Sequence, residues 1–205
     1  MAHIPDGVLA WPVLAAGAAA CAGGVAIGLR RISERDIPRT AILSAAFFAL
    51  SLFSIPLGPS GVHLMLGALM GLILRAAIFP AVLVALGLQA AIMGFGGLTS
   101  LGVNVFNIAA PGAVAGLVLA PLIARADAPR AAFLAGVAGA FCVAATGVLV
   151  SAALYFSSKD FAVASRFVLL SYLPLMIIEA LVTGFCISFV KRVKPELLDQ
   201  TAMEH

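Results

Sequence analysis

A free amine and two histidines are the groups of this chain best suited to hold an ion. The sequence begins Met1-Ala2-His3-Ile4-Pro5-Asp6-Gly7, and only three histidines occur in 205 residues. An α-amine, a backbone amide and an imidazole within two residues can close around one transition metal. Nitrogen donors in a plane suit Ni(II) or Cu(II), and imidazole also suits cobalt-like ions. A second histidine, His63, stands in Gly58-Pro59-Ser60-Gly61-Val62-His63-Leu64-Met65. The third, His205, ends the chain and is read as inert.

The elements that must position these groups are of membrane type. The chain is 63% hydrophobic and 10% charged, with a mean hydropathy of +1.15, where a soluble domain carries roughly 25% charged residues. Spanning a bilayer takes about 20 apolar residues per helix. Seven stretches qualify, at about 11–29, 40–56, 62–79, 80–96, 109–124, 131–156 and 167–190. Backbone groups cannot go unpaired in lipid, so these predict an all-α bundle of seven transmembrane helices. No strand-like alternation suggests a barrel. No repeat or second domain is visible, so residues 1–195 read as one integral membrane domain, with 196–205 as a cytoplasmic tail. The stretch before the first apolar run has no Lys or Arg, unlike a signal peptide. Cys21, Cys142 and Cys186 fall within helices at no metal or disulfide spacing and read as small core side chains.

The loops set an orientation. Arg30, Arg31, Arg35, Arg39, Arg75, Arg125, Arg130, Lys191, Arg192 and Lys194 fall on one side, and Lys159 and Arg166 on the other. The positive-inside rule then puts the N-terminus outside and the C-terminus in the cytoplasm. The net charge of +3 comes from these anchoring loops and is not a nucleic-acid footprint.

With that topology, His3, His63 and the neutral segment Gly96–Asn107 all meet at the outer face. Charged residues are nearly absent there, so a cation can be dehydrated and held without local repulsion. Pro5-Asp6-Gly7 reads as a turn that reverses the terminal arm into the bundle. Asp6 either orients a ligand from behind or closes a local turn. Ser60, Gly97, Thr99, Ser100, Asn104 and Asn107 are the candidate supporting or covering residues. The asparagines also suit ordinary turns and caps. Binding through amine, amide and imidazole nitrogens releases protons and weakens as pH falls.

His3-Ile4-Pro5-Asp6-Gly7, the Pro-Ser-Gly-Val-His63 segment and Gly96-Gly97-Leu98-Thr99-Ser100-Leu101-Gly102-Val103-Asn104 resemble the CbiM/NikM family. These are the nickel- or cobalt-binding membrane subunits of energy-coupling-factor transporters. The resemblance covers nearly the whole chain. It implies a transported Ni(2+) or Co(2+) ion bound by the terminal amine, the amide and side chain of the second-residue histidine, and a histidine on a later helix, here His63. It also implies a covering glycine-rich loop, a membrane scaffold subunit, cytoplasmic ATPase subunits, often a small accessory membrane subunit, and residence in a prokaryotic inner membrane. The family starts Met-His where this chain starts Met-Ala-His. If Met1 is removed, which a small second residue favours, the donors are the Ala2 amine, the His3 amide and imidazole, and His63. If Met1 stays, its amine, the Ala2 and His3 amides and the His3 imidazole already make four donors. Removal is the favoured outcome. The nitrogen donors and the His63-Leu-Met stretch lean toward nickel over cobalt.

Three further expectations follow. Arg75 and Glu179 lie deep in apolar runs, where isolated charges are expensive; either they pair, or Arg75 snorkels to the cytoplasmic surface while Glu179 is protonated or faces a partner subunit. Ala41, Ala45 and Ala49 repeat at four-residue spacing, which suits close helix contact within the chain or with the scaffold subunit. Gly58-Pro59-Ser60-Gly61 imitates an intramembrane protease motif, but no histidine lies on helices 4 to 7 to act as its base. The chain therefore reads as a non-enzyme, and a self-sufficient secondary metal transporter or channel is the rival function.

Overall fold

The structure is a computed structural model that describes residues 3–53, 55–57 and 60–198. Seven α-helices carry it: α1 Trp11–Arg31, α2 Ile37–Ser51, α3 Gly67–Leu74, α4 Ile78–Leu88, α5 Leu101–Arg125, α6 Ala128–Ser157 and α7 Ala162–Val193. A π-helical turn, Gln89–Met93, extends α4. Among the described residues five helical stretches are long and apolar enough to cross a membrane by length and composition, one of them, Gly67–Met93, being α3 and the extended α4 in series. Their outer faces carry exposed Phe133, Phe156, Phe185 and Leu181, the pattern of helices whose solvent is lipid.

Contacts along the chain show the helices alternating in direction. His63, just before α3, lies against His3, and a Cβ on Gly96, just after α4, would stand 3.3 Å from the His3 Cβ. Both ends of the segment 63–96 therefore meet the terminal arm, and α3 and α4 run opposite ways. The reversal is at Arg75–Ala77, where Arg75 adopts φ 53°. Ser157, at the end of α6, receives the Ala10 amide at 3.1 Å. At the far end, Lys191 of α7 caps the Ile123 and Ala124 carbonyls that close α5. Arg30, Arg31, Arg75, Arg125, Arg130, Lys191 and Arg192 accordingly sit at the end remote from His3.

The helix that would span 62–79 is corrected to α3, eight residues long. At 1.5 Å per residue it rises roughly 12 Å, well short of a bilayer core of about 30 Å. It lies wholly inside the bundle, every residue buried. Close approach makes this possible: Gly71 meets the Gly112 carbonyl of α5, where a Cβ would collide. The expected helix 40–56 ends at Ser51 instead. Ile55–Leu57 and Ser60–Val62 form a short antiparallel hairpin, β1 and β2, with Ile55 opposite Val62. Strands were not expected, but Pro56 lacks the amide a helix needs and suits an edge strand.

The segment read as a loop through Asn107 is also corrected. α5 begins at Leu101, so Asn104 and Asn107 are helical and buried. Pro111 and Pro121 lie inside α5, tolerated because neighbouring helices re-satisfy freed backbone groups. The three cysteines are free, and Cys21 and Cys142 are buried in the core. The tail starts with a 3-10 turn, Pro195–Leu197, and Leu198 packs into the core. His205 lies outside the described residues.

Candidate metal centre

The centre is built from an arm, a loop and a helix start. The arm, residues 3–10, precedes α1 and carries His3. Its polar backbone is held by α5. Asn104 forms a two-point clamp on Ile4: its Oδ1 accepts the Ile4 amide at 3.0 Å, and its Nδ2 donates to the Ile4 carbonyl at 3.0 Å. The Ser100 hydroxyl donates to the same carbonyl at 2.6 Å. An arm residue thus has both backbone groups satisfied by side chains of one distant helix, which fixes His3 one residue before it.

Asp6 anchors the arm on its outer side. Its carboxylate accepts the amides of Leu98 at 3.0 Å, Thr99 at 2.9 Å and Ser100 at 3.2 Å, and the Thr99 hydroxyl at 2.5 Å. These amides precede α5, where helix geometry leaves donors without partners. The Thr99 hydroxyl above all, with the backbone amides, holds the Asp6 carboxyl below its ordinary range. Gly97 has to be glycine here, because a Cβ would run into the Asp6 carboxylate. Asp6 and Gly7 form a turn, but the Asp6 carboxylate reaches across to residues 98–100 rather than closing that turn itself. It is a long-range cap.

His3 and His63 face each other with Nε2 atoms 3.0 Å apart and ring centroids 4.9 Å apart. Both are buried, with 7% and 3% exposure. The His63 Nδ1 lies 2.9 Å from the Leu64 carbonyl, and a carbonyl only accepts, so Nδ1 carries a proton. The neutral His63 ring then presents an Nε2 lone pair toward His3. Phe47 of α2 meets the His63 ring edge to face at 6.4 Å. Burial, with help from the neighbouring His63, pushes the His3 imidazole down to about 3. Burial also lowers His63, although its bond to Leu64 works against this. Two neutral imidazoles are the protonation state a metal requires. Among the described residues no third His, Cys, Asp or Glu joins them. A metal held here would need further donors from backbone nitrogen, water or the terminal residues; Met1 and Ala2 lie outside the described residues.

The remaining candidates separate. Ser100, Thr99, Asn104 and Gly97 all touch the arm, Thr99 and Gly97 at its Asp6. Asn107 does not: its carbonyl accepts from Thr146 at 2.9 Å, and its buried Nδ2 has no partner among the described residues. Ser60 contributes backbone to β2, and its side chain is outside the described set. Ala41, Ala45 and Ala49 lie on the exposed face of α2, the first two lining a groove of about 450 Å³ with Leu29, Ile32 and Val84. The expected Arg75–Glu179 pair is not formed. Glu179 is 1% exposed, and its Oε1 accepts the Met65 and Leu66 amides, the latter at 3.0 Å. Arg75 sits at the opposite end of α3, roughly 12 Å further along, and no described ion pair joins the two.

Sequence reasoning missed three supports: Phe47, the Leu64 carbonyl and the use of Glu179. Only Glu179 carried a signal, as a lone carboxylate inside an apolar run.

Long apolar helices with lipid-type outer faces make this a multi-pass membrane protein, and the buried histidine pair at one end of the bundle is its candidate site for a metal ion. The sequence comparisons agree. Residues 3–197 match the family model CbiM, described as the cobalt uptake substrate-specific transmembrane region. The chain belongs to the CbiM family. It is 34% identical over 201 residues to a putative metal transport protein of Haemophilus influenzae, covering 97% of this chain and 98% of that one. It is 32% identical to the cobalt transport protein CbiM of Sorangium cellulosum, covering 97% and 95%. A putative fused nickel transport protein NikMN of Archaeoglobus fulgidus is 26% identical, covering 98% of this chain and 69% of that one. A crystal structure of a transition metal transporter shares the fold, with a TM-score of 0.69, 24% identity and 93% of each chain covered.

Proposed function

We propose that this chain is the substrate-binding membrane subunit of an ATP-driven uptake system for a divalent transition metal, and that His3 and His63 supply imidazole ligands. The observation that carries this is the buried, stacked pair of imidazoles, with the His63 Nε2 turned toward the His3 ring. The chain termini then lie outside and in the cytoplasm respectively, with seven helices embedded and the arginine-rich end inward, as the positive-inside rule requires. The ATP is hydrolysed by cytoplasmic partner subunits joined to this one through a membrane scaffold, and a small accessory membrane subunit is compatible with the family. The exposed alanine row of α2 is the proposed scaffold contact, since small residues let a foreign helix approach closely.

The full donor set adds the terminal amine and the His3 amide. The amide nitrogen and Nδ1 of one histidine close a six-membered ring on a metal, and an amine one residue earlier closes a five-membered ring. His63 completes the plane through Nε2. This arrangement calls for removal of Met1, so that Ala2 carries the amine. Four planar nitrogens favour Ni(II), and the divalent affinity order also ranks nickel above cobalt.

The test is a titration of purified protein with Ni(II) and Co(II) in competition, read by the visible band of the complex. Intact mass should lack the initiator methionine. Stoichiometric binding lost in His3→Ala and His63→Ala supports the reading, while binding indifferent to both substitutions overturns it.

A further inference from the structure

The geometry points to Glu179 as a positioning residue for the metal ligand His63, acting through a single peptide group. This rests on His63 being a ligand. The peptide is the one joining Leu64 to Met65. Its carbonyl accepts the His63 Nδ1 proton at 2.9 Å. Its N–H, belonging to Met65, donates to Glu179 Oε1. The order is therefore carboxylate, peptide, imidazole, ion. Metal-binding histidines usually pass their second N–H directly to a carboxylate or carbonyl, which fixes tautomer and ring orientation. Here a carboxylate stands behind the carbonyl, and a hydrogen bond at one end of a peptide strengthens the bond at the other.

Three observations show that this contact is built in. The same Oε1 also accepts the Leu66 amide at 3.0 Å. Leu66 precedes α3 with φ 47° and has no side-chain cap, a left-handed conformation that non-glycine residues rarely hold unsupported. Glu179 thus satisfies donors at the start of α3 from another helix. Its own position is set by α6, because Gly139 lies against the Glu179 carbonyl and a Cβ there would stand 2.7 Å away. Finally, no cation described in the structure pairs with this buried carboxylate, so its partners are these backbone amides.

Both bonds end on one oxygen, which allows a test that separates reach from charge. Glu179→Gln keeps an acceptor at that position without the charge. Glu179→Asp keeps the charge but falls short by about 1.5 Å. Both variants, wild type and His63→Ala are titrated with Ni(II) as full-length protein in detergent, following affinity and the visible band. Wild type and Gln should agree within a few fold with the same band. Asp should bind about 10- to 100-fold more weakly, the usual effect of losing an outer partner, with its band moved toward that of His63→Ala. Equal affinities in all three, or Gln weaker than Asp, overturn the positioning role. If instead wild type and His63→Ala are indistinguishable, the ligand assignment itself has failed, independently of Glu179.

Discussion

Two carboxylates bracket the histidine pair, and they do the same job under opposite conditions. Asp6 holds the arm that carries His3, and Glu179 holds the turn that carries His63. Each accepts successive backbone amides just before a helix, α5 for Asp6 and α3 for Glu179. Asp6 is exposed, while Glu179 is buried among apolar helices. In water a lost hydrogen bond is replaced by solvent, so only a small net loss follows. Inside the bundle no solvent waits, and an amide left without a partner loses its full desolvation energy. The arm is therefore held at Asp6 by replaceable contacts, and the His63 turn by few irreplaceable ones.

That contrast can be broken at several points. Deleting either imidazole should have the largest effect: His63→Ala or His3→Ala should lower Ni(II) affinity beyond the roughly 10- to 100-fold of an outer partner, measured by titration. Glu179→Leu should come next, because it strands the Met65 and Leu66 amides. A loss of about 1–3 kcal/mol for each is expected, seen as a lower melting temperature in detergent. Asp6→Ala should leave that melting temperature almost unchanged. A melt unchanged by Glu179→Leu would remove the distinction between the two carboxylates.

Acid should release the arm over a definite window. Burial lowers both imidazoles, His3 to about 3 from 6.5. Above pH 6.5 docked and free arms bind the same number of protons at these groups. As pH falls from 6.5 toward 3, the free arm takes up protons that the docked arm refuses, and docking weakens. Exchange of the Ile4 amide with solvent should therefore be flat above pH 6.5, apart from its intrinsic rate, and lose protection below it. Asn104→Ala should give a smaller effect. It removes the two-point clamp on Ile4 and should cost about 1–3 kcal/mol of docking, read by the same exchange. Asp6→Asn should be the smallest, a few-fold drop in metal affinity, because Leu98, Thr99 and Ser100 can turn to water.

Much of this was legible before any coordinates. The apolar runs identified membrane helices because lipid leaves the backbone no alternative. His3 and His63 stood out as rare ionisable groups at neutral, glycine-rich places. The membrane-type helices 131–156 and 167–190 correspond closely to α6 and α7, whose apolar runs are long enough to span lipid even with Pro174 and Glu179 inside α7. Less legible were elements whose ends depend on distant residues. The start of α5 was placed late because Gly102, Asn104 and Asn107 look like a loop. The cap that starts that helix is Asp6, more than ninety residues earlier. α3 was drawn too long because hydropathy cannot tell a helix buried in protein from one that spans lipid.

The division has a physical basis. The chain by itself determined the solvent of its helices, the end at which positive charge collects and the presence of two rare imidazoles at the margins of apolar runs. All of these follow from local composition and transfer energy. Only the tertiary structure decided that the imidazoles meet, that Asn104 clamps Ile4 and that Glu179 turns from Arg75 to the Leu64–Met65 peptide. A hydrogen bond depends on distance and direction, and those are set by packing between helices rather than by position along the chain.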